Sequence, residues 1–145
     1  MKLVTFEIDH RARPGRLAGE EIVDLHALAP DVRTILEQDL LGKAAAAAGR
    51  SVPLKEVKLL APIPNPGMVL SVGMNYHEHL KEMKTPVPEK PAAFTKSVAS
   101  IIASGEAIKV PPSNPNMLDW EGEFSVVIGR PCHRVKAAQA LDYVA

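Results

Sequence analysis

Two glutamates one residue apart, Glu121 and Glu123, are the feature of this 145-residue sequence that most directly suggests chemistry. The apolar run that follows them predicts a strand over residues 122–128, buried from residue 124 onward. Side chains alternate between the faces of a strand, so both carboxylates would point the same way, with Cα atoms about 6.6 Å apart. Such a pair can converge on one divalent cation, and oxygen ligands favour Mg²⁺ or Mn²⁺ over zinc. From the spacing alone, two solvated glutamates on an edge strand are the commoner explanation.

A histidine and a glutamate three positions apart, His79 and Glu82, form a second candidate site. The pattern predicts a short helix over residues 76–83, on which these two side chains are neighbours. A carboxylate beside an imidazole fixes its tautomer and raises its basicity, so the pair could act as a general base on water. Pairing of a histidine with a glutamate on the surface is the commoner use of this spacing.

Lys96 ends a predicted strand over residues 92–96, after a proline-rich loop. Its ammonium group could hold the carboxylate of a substrate, although a lysine at a strand edge also serves to discourage aggregation. Cys132 is the single cysteine, which excludes an internal disulfide and a thiolate metal site built from this chain alone. A lone cysteine fits a reducing cytosol.

Composition argues against several classes of partner. Seventeen basic residues balance seventeen acidic ones, so electrostatics give no reason to expect a nucleic acid or a membrane surface. No apolar run approaches the 18 or so residues of a membrane span, and the N-terminus lacks the features of a signal peptide. The sequence therefore predicts a cytoplasmic protein.

The elements that must position these residues fall into two predicted domains, divided at a proline-rich junction over residues 62–67. Residues 1–62 predict a small α/β domain, with strands at 1–8, 21–25 and 57–63, a turn at 13–15 and a helix at 31–48 capped by Asp31. Residues 63–145 predict a strand-rich domain, with strands at 68–72, 92–96, 106–110 and 122–128. A helix at residues 135–144 follows, with Leu141 among its inward-facing residues.

Four segments in this order resemble the fumarylacetoacetate hydrolase family. They are the proline-rich junction at residues 61–67, the Gly-x-Asn-Tyr-x-x-His-x-x-Glu segment at 73–82, Phe-Thr-Lys at 94–96 and the acidic strand at 118–129. The resemblance extends over residues 57–145, and residues 1–56 resemble the smaller N-terminal domain of many bacterial members. It implies an α+β protein: a small N-terminal α/β domain followed by the first half of a mixed β-roll, truncated.

The same resemblance assigns roles to individual residues. Glu121 and Glu123 would be ligands of Mg²⁺ or Mn²⁺, and His79 and Glu82 the catalytic pair on a short lid helix. Asn75, Tyr76 and Lys96 would bind the substrate. The family's third metal ligand, an aspartate, would lie beyond Ala145, so we expect this chain alone to be inactive and the full-length protein to be a homodimer.

The resemblance further implies metal-dependent hydrolysis of a carbon–carbon bond in a small 2-oxo acid, such as an acylpyruvate, through a metal-bound enolate. Isomerisation, hydration or oxaloacetate decarboxylation on related keto acids would use the same site. An alternative of a different class is an inactive fragment or a non-catalytic subunit.

Overall fold

The computed structural model describes residues 1–145 and shows an α+β protein made of two compact units. One unit contains residues 1–63 together with residues 102–145, and the other contains residues 64–101. The division into two domains at residues 62 and 63 stays a prediction. In the structure, residues 102–145 belong to the same unit as residues 1–63. No helix has the length and apolar character that crossing a bilayer requires.

A five-stranded antiparallel sheet, in the order β4-β3-β2-β1-β5, forms the centre of the first unit. Its strands are β1 (Lys2–Ile8), β2 (Arg11–Ala18), β3 (Glu21–Asp24), β4 (Ser51–Pro53) and β5 (Lys58–Leu59). The turn predicted at residues 13–15 is wrong, because Pro14 and Gly15 lie within β2 and pair with β1. The chain reverses at Asp9 and His10 instead, both with positive φ, as a tight hairpin turn requires. The strand predicted at residues 57–63 is reduced to β5.

Two short helices, α1 (Val32–Glu37) and α2 (Leu41–Ala46), replace the single helix predicted over residues 31–48. Asp31 caps α1 as predicted, with its carboxylate accepting from the Thr34 N–H at 2.7 Å. Helix α1 ends in a Schellman motif: Asp39 is left-handed at φ 52°, and the N–H of Leu40 donates to the Ile35 carbonyl. The prediction failed here because this motif usually carries glycine, and aspartate adopts the conformation less often.

The hydrophobic core lies between this sheet and its helices. Phe6, Ile22, Leu25 and Ile35 are fully buried. The Arg16 guanidinium donates to the carbonyls of Ala44 and Ala47, which ties the end of α2 to the sheet.

Residues 102–145 complete the first unit without forming a further strand. The strands predicted at 106–110 and 122–128 are therefore wrong, and residues 124–128 are exposed rather than buried. An isolated bridge joins Ile128 to Val144, and a 3-10 helix over Ala137–Tyr143 replaces the helix predicted at 135–144. Leu141 faces solvent, not a core. A strand is stable only beside another that completes its backbone hydrogen bonds, and none lies beside residues 122–126.

The second unit confirms three predicted elements. Strands β6 (Val69–Gly73) and β7 (Ala92–Lys96) form an antiparallel pair, with Ser71 opposite Phe94. Helix α3 (His77–Glu82) follows β6, and a 3-10 turn at Val98–Ser100 follows β7. Strand β6 is half-buried, with Leu70 exposed.

Candidate metal and oxo-acid site

Helix α3 carries the predicted catalytic pair. Leu80 is its buried residue, which fixes the face that the helix turns inward. His79 and Glu82 are both exposed, and no hydrogen bond or ion pair joins them. The helix ends in a second Schellman motif, in which Lys84 is left-handed at φ 53° and the Thr85 N–H donates to the Leu80 carbonyl. Two solvent-facing groups on a short, sharply ended helix are available to a ligand.

Two of the three predicted substrate-binding residues immediately precede α3. Asn75 and Tyr76 connect β6 to the helix, and Tyr76 occupies the N-cap position without a side-chain capping bond. Both side chains are exposed. An amide and a phenol at this position can donate hydrogen bonds to the oxygens of a small acid.

Lys96, at the end of β7, lies opposite Val69 of β6. Its ammonium nitrogen is 5.9 Å from the centroid of the Phe94 ring, a distance at which a cation and an aromatic face attract each other. The contact orients the lysine while leaving its three donors free for a carboxylate.

Glu121 and Glu123 lie on an extended, exposed segment and not on the predicted strand. They belong to the unit of residues 102–145, whereas the other five predicted site residues lie within residues 64–101. The structure gathers no group of three or more His, Cys, Asp or Glu side chains that could hold a metal ion. The donor chemistry of the two carboxylates still fits a hard divalent cation, for which they can supply two ligands.

A charged pair that the sequence analysis missed lies at the edge of the first unit. Lys58 Nζ is 2.6 Å from Glu106 Oε1, and the N–H of Ala103 donates to Glu106 Oε2 at 2.9 Å. The hydrogen bond to Glu106 raises the pKa of Lys58, and the hydrogen bond from Lys58 lowers the pKa of Glu106, helped by the Ala103 N–H. Nothing in the sequence connects two residues 48 positions apart. The pair attaches residues 103–106 to β5.

A family model described as fumarylacetoacetate (FAA) hydrolase C-terminal matches residues 68–145, more than half of the chain. The chain belongs to the fumarylacetoacetate hydrolase family. A second model, Rv2993c-like N-terminal, matches residues 1–62. The family membership predicted from the four segments is thereby confirmed.

Relatives and solved structures add two facts about this family member. The mitochondrial oxaloacetate tautomerase FAHD2A of Bos taurus is 35% identical over all of this chain, which covers 50% of that protein. A fumarylacetoacetate hydrolase from Exiguobacterium antarcticum has a TM-score of 0.82 at 29% identity, over 99% of this chain and 52% of that one. These likenesses confirm the predicted fold class, and the chain spans about half the length of the proteins it matches.

One further structural likeness concerns the fold alone. Maleylpyruvate hydrolase from Sphingobium, in complex with manganese(II) and pyruvate, has a TM-score of 0.79 at 24% identity. The match covers 99% of this chain and 55% of that structure. The α+β fold therefore recurs in a further solved structure of about twice this length.

Proposed function

We propose that this chain contributes metal-binding, catalytic and substrate-binding residues to an enzyme acting on a small 2-oxo acid. Membership of the fumarylacetoacetate hydrolase family carries this proposal, because the family model spans the segments with all seven candidate residues. The residue types support it: carboxylates for a cation, a histidine for proton transfer and a lysine for a substrate carboxylate.

Glu121 and Glu123 would hold Mg²⁺ or Mn²⁺, with further ligands from outside the 145 residues. A cation held there would act as a Lewis acid toward the oxygens of the substrate. The exposure of both glutamates supports this role, since neither carboxylate is committed to a contact within the protein core.

The residues of the second unit would bind the substrate and transfer protons. Lys96 would pair with the substrate carboxylate, and Asn75 and Tyr76 would donate hydrogen bonds to its oxygens. His79 would accept a proton from water, with Glu82 fixing its tautomer on α3. This division gives the candidate residues of the β6–α3 connection, α3 and β7 separate tasks.

Hydrolysis of a carbon–carbon bond is the first candidate reaction. The oxygen of the deprotonated water would bond to the distal carbonyl carbon of an acylpyruvate. The carbon–carbon bond would then break, its electron pair would pass to the oxo-acid fragment, and a proton would be taken up to give pyruvate. His79 holds the proton that this last step consumes.

Tautomerisation of an oxaloacetate-type acid is the second candidate, and the 35% identity to the Bos taurus oxaloacetate tautomerase favours it. This reaction moves one proton between carbon and oxygen and needs no water. A histidine and a bound cation serve both reactions, so the substrate decides between them. Isomerisation, hydration and decarboxylation of related keto acids use the same groups.

Activity is tested on residues 1–145 alone and on their fusion to the second half of the Bos taurus tautomerase. Each protein is assayed with Mg²⁺ or Mn²⁺ against an acylpyruvate and enol-oxaloacetate, with the second half alone as the control. We expect turnover by the fusion and none by residues 1–145. A folded fusion that binds Mn²⁺ but converts neither acid would favour a non-catalytic role.

Mn²⁺ binding to the same fusion, followed by electron paramagnetic resonance, tests the metal ligands. Glu121→Ala and Glu123→Ala should each weaken binding at least about tenfold. Glu89→Ala, which removes another exposed carboxylate, should leave binding unchanged. Retention of both Mn²⁺ affinity and turnover by Glu123→Ala would refute the assignment.

His79→Ala tests the general base against the neighbouring His77→Ala. Loss of His79 should lower the rate of hydrolysis about 10²- to 10⁴-fold and leave Mn²⁺ affinity within a few-fold. His77→Ala should affect neither quantity. Loss of Mn²⁺ binding in His79→Ala would make that residue a metal ligand instead.

A homodimer and a cytoplasmic location remain predictions. Light scattering coupled to size-exclusion chromatography would measure the mass of the fusion protein. Fractionation of the native cells would locate the protein itself. A monomer or a membrane-associated protein would contradict the respective prediction.

A further inference from the structure

Phe94 is an exposed aromatic residue that lies beside Lys96 and has no role of its own in the reactions considered above. Its side chain is 53% exposed, so burial in a core does not account for it. Phe94 lies two residues before Lys96 on β7, and the two side chains therefore leave the same face of the β6–β7 pair. Ser71 of β6, a small residue, lies opposite Phe94.

The Phe94 ring changes the direction in which the Lys96 ammonium group points. The Lys96 nitrogen lies over the ring, 5.9 Å from its centroid. The Cα of Lys96 is paired with Val69, which is at the end of β6 farthest from α3. Alternate residues of a strand are about 6.6 Å apart, so a lysine folded back over Phe94 carries its charge toward the other end of β6. That other end is Gly73, from which the chain continues into α3.

The same ring also reaches Gly73. A Cβ added at Gly73 would lie 3.8 Å from Phe94 Cε1, which is ordinary van der Waals contact, so the ring covers the glycine. Met74 follows with φ 56°, a left-handed conformation that is costly for a residue with a Cβ and that bends the chain out of the strand. Asn75 and Tyr76 come next and lead into α3. The connection that carries these two proposed hydrogen-bond donors therefore begins at the ring.

We propose that Phe94 is a positioning residue, which holds the Lys96 ammonium group at the end of the β6–β7 pair where the Asn75–Tyr76 connection begins. A cation is attracted to the face of an aromatic ring, so the contact favours the folded-back lysine over the many extended rotamers that it adopts in water. One small acid then reaches the ammonium group with its carboxylate and the connection with its other oxygens. The effect on the substrate rests on the proposed function, whereas the contact between Phe94 and Lys96 concerns this chain alone.

The contact is tested in residues 1–145 by NMR of lysines labelled with ¹³C at the ε carbon. Protons above an aromatic face resonate upfield, so the Lys96 ε-methylene signal should lie upfield of the signals of the other lysines. Lys96→Arg removes this signal and thereby assigns it. Phe94→Leu keeps an apolar side chain without a ring and should return the signal to the position of the others, whereas Phe94→Tyr should leave it upfield.

The positioning role is tested in the fusion to the second half of the Bos taurus tautomerase, assayed with Mn²⁺ against an acylpyruvate and enol-oxaloacetate. Phe94→Leu should raise KM about two- to fivefold and leave kcat unchanged, because a smaller fraction of molecules then holds the lysine in place for the substrate. Phe94→Tyr keeps an aromatic face and should retain the parent KM.

A double-mutant cycle separates positioning from a structural role. A ring that only covered Gly73 would stabilise the strand pair, as aromatic side chains do beside glycine, with or without the lysine. A residue that acts through Lys96 has no effect once the lysine is gone, so Phe94→Leu should leave kcat/KM unchanged in a Lys96→Met background. Hydrogen exchange of the Val69–Gly73 amides checks that the strand pair remains formed in every variant.

Two kinds of result would overturn the proposal. A Lys96 signal that Phe94→Leu does not move would show that the ring does not hold the ammonium group. A KM unchanged by Phe94→Leu, or a loss of kcat/KM that is equal with and without Lys96, would show that the ring does not act through the lysine. Absence of turnover in the parent fusion would instead contradict the proposed function, and the NMR signal would still decide whether Phe94 holds Lys96.

Discussion

Residues 1–63 and residues 107–136 both contain many apolar side chains but bury them very differently. The first region places Phe6, Ile22 and Ile35 entirely out of solvent, beneath five hydrogen-bonded strands. The second leaves Trp120 and Phe124 more than four-fifths exposed and forms no strand. Apolar sequence therefore produces a core only where the chain also supplies the elements that face it.

The difference follows from how each region completes its backbone hydrogen bonds. Strands β1, β2 and β3 are close in sequence and joined by tight turns, so pairing one strand brings the next into position. Residues 122–126 have no such neighbour within the chain, and residues 127 and 128 meet only the last two residues. Backbone amides without a partner strand lose little free energy when they stay in water, because water completes their hydrogen bonds.

Replacing a phenylalanine in each region should give the largest contrast in stability. Phe6→Ala leaves a cavity in a fully buried site and should lower the free energy of unfolding by about 3–5 kcal/mol. Phe124→Ala removes an exposed ring and should change it by no more than about 0.5 kcal/mol. Urea denaturation followed by circular dichroism measures both, and equal losses would show that residue 124 is buried in solution.

A glycine in each region provides a smaller contrast. A Cβ added at Gly15 would lie 2.4 Å from Ile22 Cγ2 and 3.0 Å from the Phe6 ring, so Gly15→Ala should cost about 1–3 kcal/mol. A Cβ added at Gly122 would meet nothing within 4 Å. Gly122→Ala should therefore leave the thermal midpoint within about 2 °C of the parent. A large loss in Gly122→Ala would mean that another element packs against residues 121–123.

The same contrast explains which elements could be predicted from the sequence. Strands β1, β3, β6 and β7, helix α3 and the Asp31 cap were predicted correctly because short-range pattern and capping chemistry determine them. The break at Asp39 was missed because it depends on a left-handed aspartate. The strand at 122–128 was predicted from a correct β pattern, but pairing is a property of two strands and one sequence segment cannot supply it.

The candidate site shows a similar limit. The order of the four segments was enough to predict family membership, which the match over residues 68–145 confirms. It also located His79, Glu82 and Lys96 on the elements where they are found. The prediction that Glu121 and Glu123 share a face depended on a strand that this chain does not form by itself. Their roles, and those of the other five residues, remain predictions.

Asp31→Ala should lower stability by about 1 kcal/mol, because it removes the carboxylate that accepts from the Thr34 N–H. Asp31→Asn keeps an acceptor and should cost much less. In the other region, Asp119 accepts from the Trp120 N–H at 2.8 Å in an exposed position. Asp119→Ala should change global stability by no more than about 0.5 kcal/mol. Thermal unfolding compares the three variants, and an equal loss from Asp119→Ala would contradict the proposed difference between regions.

The smallest effect is expected just before the second region, where Lys58 of β5 pairs with Glu106. The hydrogen bond from Lys58 lowers the pKa of Glu106, so the unfolded chain takes up the proton first as the pH falls. The contact is therefore fully formed above the usual value of 4.5 and is lost as the pH falls through the lower folded value. The Ala103 amide proton, bonded to Glu106 Oε2, reports this transition by NMR. Glu106→Gln should abolish the titration of that proton, and Lys58→Met should move its midpoint upward. A midpoint unchanged by Lys58→Met would show that β5 does not hold residues 103–106 in solution.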